Sequence, residues 1–173
     1  EAPIPGKAAI GVEVPNSQPS TVTLRELCDS KEFRDHPSRL CVALGQDVSG
    51  VNRYTDLAKM PHLLIGGATN SGKSIGLATI IMSLLMRNTP KDVRFVMIDP
   101  KRVELAGFAM IPHLAFSNIV VDVEKVVGTL GAVLHEMEAR YKRFASLAVR
   151  NIDAYNKHAR VGPADRLPYW VVI

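Results

Sequence analysis

Nine residues, GGATNSGKS at 66–74, constrain this chain more than any other stretch. Gly67, four intervening residues, Gly72, Lys73 and Ser74 fit the pattern GxxxxGK[ST] in full, and a chance match in a chain of 173 residues is of order one in a hundred. The pattern needs a strand before it and a helix after it. HLLIG at 62–66 reads as a short apolar strand, and Lys73 to about Asn88 reads as a helix that Thr89-Pro90 stops, so both neighbours are expected.

The spacing is that of a phosphate cradle. Glycines at 67 and 72 let the backbone turn tightly and come close to a ligand, so that amides from about Asn70 to Ile75 point at phosphate oxygens. The helix start adds the positive end of its dipole. The nucleotide-binding set is therefore Gly67, Thr69, Asn70, Ser71, Gly72, Lys73, Ser74 and Ile75. Within it, Lys73 is the catalytic cation reaching the terminal phosphates of ATP, and the Ser74 hydroxyl is a ligand for Mg²⁺. A glycine-rich turn that only caps a helix has no need of Lys followed by Ser.

Around the loop, strand and helix patterns alternate. VRFVMID (93–99) reads as a buried strand, NIVV (118–121) as a shorter one and YWVVI (169–173) as a last one. Val123 through Leu147 carries apolar residues at spacings of three and four on one face of a long helix, with Glu136–Arg140 and Glu138–Lys142 paired at i,i+4. A shorter helix follows from Asn151 to about Arg160. The fold class is α/β, a mostly parallel sheet flanked by helices. Residues 1–61 form a β-rich lead-in: an extended proline-bearing start around AIGVEV, a short helix over 24–29 with Thr23 and Glu26 at capping-box spacing, and two strands about a turn at Ser49-Gly50. Residues 62–173 form the core domain.

An apolar content of 47% with 22% charged residues is globular, and the longest nearly uncharged stretch, SIGLATIIMSLLM, is too short to span a bilayer; this piece reads as soluble. Cys28 and Cys41 fit neither a redox CxxC nor a zinc cluster and read as ordinary cytosolic thiols. The net charge is +4, and residues 139–160 hold six Lys and Arg against one acid, Asp153. Such a stretch permits nucleic-acid contact, although basic residues on a long helix are more often a solvated face.

Hydrolysis requires an acid at the end of a neighbouring strand. Asp99 ends VRFVMID, but Pro100 and Lys101 follow it and no second carboxylate stands beside it. The other reading makes YWVVI the acid-bearing strand, with its acids expected just past Ile173; Asp99 and Lys101 are then secondary site residues. Lys101, Arg102 and Glu104 lie on the loop after the strand, where α/β sheets bind ligands, and read equally as phosphate sensors, subunit contacts or solvated charges.

KMPHLLIGGATNSGKS, DVRFVMIDPKRVEL, IPHL, EMEARYKRFASLAVRNIDAYN and PYWVVI, in this order, closely resemble the motor of the FtsK/SpoIIIE family of DNA translocases, and IPGKAAIGVEVPN, TLREL and ALGQDVSG resemble the segment ahead of it. The resemblance implies a RecA-like P-loop ATPase core, truncated before its Walker B Asp-Glu pair, that assembles as a homo-hexameric ring around double-stranded DNA and moves it in chromosome segregation. It implies a cytoplasmic motor anchored to the bacterial membrane through a region absent here. On this view the chain alone binds nucleotide weakly without turning it over. The family's trans arginine and DNA loops are also expected past Ile173. One departure is Asn70, where the family commonly has glycine; Asn accepts left-handed backbone angles better than most residues. The alternatives are a related ring ATPase of type VII secretion or conjugative plasmid transfer, and a catalytically silent nucleotide-binding scaffold.

Overall fold

The computed structural model describes residues 20–60 and 62–173, with 12, 14, 17 and 18 ahead of them. The lead-in strand expected at AIGVEV lies outside the described residues apart from Val12 and Val14.

Helix α1 (Leu24–Asp29) begins with the expected capping box: the Thr23 hydroxyl accepts the Glu26 amide, and the Glu26 carboxylate accepts the Thr23 amide. The short α2 (Lys31–Arg34) starts where the Ser30 hydroxyl accepts the Phe33 amide. Next comes an antiparallel hairpin, β1 (Cys41–Gln46) with β2 (Asn52–Asp56), whose turn is closed by the Asp47 carboxylate accepting the amides of Ser49 and Val51. Both helices cover the hairpin through Leu27, Cys28, Phe33, Cys41 and Ala43. Cys28 and Cys41 are free, and burial is the main cause that pushes both thiols up.

The glycine-rich loop leads into α3 (Lys73–Arg87). Ile81 and Leu84 of this helix join Leu40 and Val42 of the hairpin side with Val93, Phe95, Met97 and Leu105 in the main core. Asn88 ends α3, its side-chain amide donating to the carbonyls of Leu84 and Arg39. The lead-in and the core thus share a helix, and α3 is bolted between them.

β3 (Val93–Val96) is the centre of the second sheet. One edge pairs in parallel with β4 (Tyr169–Val172), from Val93 opposite Tyr169 to Val96 opposite Val172. Along the other edge, Phe95 exchanges bonds with His113 and Ala115, and Val120 donates to Met97 and accepts from Asp99. The strand expected at NIVV is therefore one parallel bridge at Val120, because the chain leaves register with β3 on either side of it. Likewise, HLLIG is not a ladder-paired strand: residues 62–66 run unpaired, with Leu64 95% exposed, since no described segment lies alongside to complete a ladder.

α4 (Val123–Ser146) and α5 (Ile152–Lys157) follow. Phe144, Tyr155 and Leu167 form a small core where the two helices meet the return to β4. Of the expected i,i+4 pairs, Glu136–Arg140 forms at 2.7 Å, whereas Glu138–Lys142 is not an ion pair among the described residues. The apolar stripe of α4 is real, yet Val123, Val127, Leu134 and Tyr141 on it are exposed. Among the described residues no helix is long and apolar enough to cross a membrane.

Candidate nucleotide site

The site is assembled at the start of α3. Gly72 is the helix N-cap at φ +86, a left-handed angle that needs a residue without Cβ, and no side chain caps the helix there. Within the loop the Ser71 amide is spent on Ala68 and the Gly76 amide on Gly72. Between them, the amides of Gly72, Lys73, Ser74 and Ile75 have no backbone partner among the described residues. Four successive donors at the helix mouth are thus without a backbone acceptor, the arrangement in which helix starts bind anions.

Shape agrees with that use. A Cβ on Gly67 would collide with the Ser71 hydroxyl and lie 3.2 Å from its Cβ, so the loop closes on itself at this glycine. Asn70 sits at φ +65, the left-handed angle that its side chain tolerates. Residues 66–76 are all exposed, with Thr69, Ser74 and Ile75 among them, and the Ser74 hydroxyl is the second residue of the helix. Lys73 lies among the free amides with its side chain 44% exposed.

Asp99 and Lys101 fall differently. Asp99 is 6% exposed, and one of its carboxylate oxygens accepts the amides of Glu104 and Leu105, each at 3.0 Å. The Leu105 amide foremost, with those of Glu104, Val103 and Arg102, holds the carboxyl below the usual carboxylate range against the opposing effect of burial. Its lone pairs organise a loop. Lys101 points into solvent on that loop, Arg102 adopts φ +55 and binds the Asp122 carboxylate at 3.1 Å, and Glu104 reaches Lys73 at 3.6 Å. No local pattern marks this last contact, because the partners are 31 positions apart and meet only through the packing of α3 on β3.

Two apolar grooves lie elsewhere. One of about 620 Å³ separates residues 62–65 from β4, and one of about 420 Å³ separates α4 from β4. Neither gathers the row of donors that the loop presents, so neither competes with it as a polyphosphate site.

The model of the FtsK/SpoIIIE family matches residues 23–173. The DNA translocase FtsK of Sporosarcina ureae is 49% identical over 179 residues, covering 100% of this chain and 23% of the relative. The DNA translocase FtsK of Helicobacter pylori strain J99 is 45% identical, covering 100% and 20%. The chain therefore spans about a fifth of the length of these relatives. Among solved structures, the pCW3 conjugation coupling protein TcpA, in monomer form with ATPγS, superposes with a TM-score of 0.65 at 27% identity, covering 83% of this chain and 37% of that one. The cytoplasmic domain of EssC gives 0.66 at 23%, covering 76% and 25%, a likeness of fold. The α/β architecture is that of the RecA-like P-loop ATPases, and by both its family match and its full-length similarity to the curated translocases the chain belongs to the FtsK/SpoIIIE family.

Proposed function

We propose that this chain is the nucleotide-gripping part of an ATP-driven motor that moves double-stranded DNA, working as a homo-hexameric ring and attached to the membrane through a region outside this chain. The row of unpartnered amides at Gly72 to Ile75 beside Lys73 carries the reading. Relatives named as DNA translocases at 45–49% identity favour it over conjugation or type VII secretion, whose proteins are neighbours in structure at 27% identity or below.

In this reading the amides and Lys73 bind the β and γ phosphates of ATP and orient them, and Gly67 and Gly72 keep side chains out of their way. Ser74 offers the magnesium ion one hydroxyl ligand, the ion neutralising phosphate charge when bound. Asp99 positions the loop that follows β3, one of its carboxylate oxygens accepting the amides of Glu104 and Leu105. β4, paired in parallel beside β3, is the strand that we assign to carry the water-activating acids of the motor.

The test is Lys73→Ala in the intact protein. Weakened ATP binding together with loss of duplex-stimulated hydrolysis is expected; hydrolysis that persists at the wild-type rate would reject the site.

A further inference from the structure

Building on the nucleotide site just proposed, we infer that Glu104 is a resident counter-ion for Lys73, a carboxylate that competes with a phosphate tail for the same ammonium. The observation is the 3.6 Å approach of Glu104 Oε1 to Lys73 Nζ, the one ion pair that Lys73 makes among the described residues.

The contact is built into the fold. The main chain of Glu104 is fixed on one side by its own amide, donated to the Asp99 carboxylate, and on the other by Leu105, which donates to the same oxygen and is 2% exposed in the main core. Ahead of it, Arg102 turns through a left-handed angle and is tied to Asp122 on the entry to α4. With its main chain anchored in this way, Glu104 is rooted within reach of the loop, while its side chain keeps the freedom to leave Lys73.

The chemistry opposes ligand binding. A polyphosphate and Glu104 are both acceptors that seek the same ammonium, so each weakens the other's hold on it. With side chains 44% and 30% exposed, the pair is screened and weak, worth about two- to fivefold in an equilibrium constant. That magnitude suits a displaceable placeholder. It lets ATP win while favouring release of a product that holds Lys73 through fewer oxygens, and it ties occupancy of the loop to the end of β3 through Asp99.

Equilibrium titration of the intact protein with mant-ADP at constant magnesium tests this. Glu104→Gln is expected to bind two- to fivefold more tightly than wild type, and to change nothing when Lys73 is already Met. Unchanged or weaker binding by Glu104→Gln overturns the inference while leaving the phosphate site standing, as does tightening that persists in the Lys73→Met background. Should wild type fail to bind mant-ADP, or Lys73→Met bind it equally well, the phosphate site itself falls and takes the counter-ion with it.

Discussion

The hydroxyl of Ser83, at the middle of the helix that starts with the phosphate loop, accepts the backbone amide of Ala43 at 3.2 Å and donates to the Thr79 carbonyl at 2.7 Å. Ala43 lies on the lead-in hairpin just before its bulge, and both residues are fully buried. In the register of the hairpin the Ala43 amide faces away from β2, and a buried amide needs an acceptor, which Ser83 supplies. Ser83→Ala should therefore cost about 1–2 kcal/mol, the penalty of an orphaned buried donor. Urea denaturation of the chain measures it, and an unchanged midpoint would show that the hairpin and α3 are held by packing alone.

The loop stores left-handed backbone at two positions with different tolerance. Gly72→Ala meets no atom within 4 Å, so its whole cost is conformational, about 1–2 kcal/mol. Asn70 already bears a side chain at φ +65, and Asn70→Gly should leave both stability and nucleotide affinity near wild type, while Asn70→Val weakens both. Paired thermal melts and mant-nucleotide titrations separate the three variants; a neutral Gly72→Ala would show that the helix starts elsewhere in solution.

Asp99 makes an acid-sensitive joint. Its folded pKa lies below that of the unfolded carboxyl, about 3.9, because the Leu105 amide and its neighbours prefer the anion. The sign follows: its stabilisation is complete above the unfolded value and is lost as pH falls through the lower folded one. Asp99→Asn should be less stable than wild type by about 1–2 kcal/mol at pH 7, with the gap narrowing below roughly pH 4. Denaturation at pH 7 and pH 3 gives the comparison, and a gap that does not depend on pH would mean that shape rather than charge holds the loop.

What could be read without coordinates was local. Thr23 and Glu26 are three apart, Gly72 and Lys73 adjacent, and each carries its own instruction about the backbone, so the capping box and the helix start follow directly. Asn70 was legible for the same reason. HLLIG and NIVV were not, because an apolar run becomes a strand only when a neighbour supplies ladder partners: Val120 has one bridge, and 62–66 has none among the described residues. The stripe on α4 announced a helix correctly but not what covers it, since periodicity fixes a face and leaves its partner unspecified. Glu104 shows the same limit at the site. Its sequence neighbours say loop, and only the docking of α3 on β3 brings it to Lys73.

Arg140 is the strut between α4 and the second sheet. Its guanidinium donates to Glu136 Oε1 at 2.7 Å and to the Pro168 carbonyl at 2.6 Å, and lies 5.3 Å from the centre of the Trp170 ring, with only 12% of the side chain exposed. These three contacts use the breadth of a planar group, and an ammonium makes at most one or two of them. Arg140→Lys should cost about 1–2 kcal/mol despite keeping the charge. Trp170 is the chain's one tryptophan, so its fluorescence reports on this joint without a label. The emission of the variant should move to the red as water enters the groove between α4 and β4, and its unfolding midpoint should fall. If emission and midpoint both stay put, the Phe144–Tyr155 contact one turn further along α4 is what fixes the helix, and the groove beside Trp170 is spanned rather than braced by Arg140.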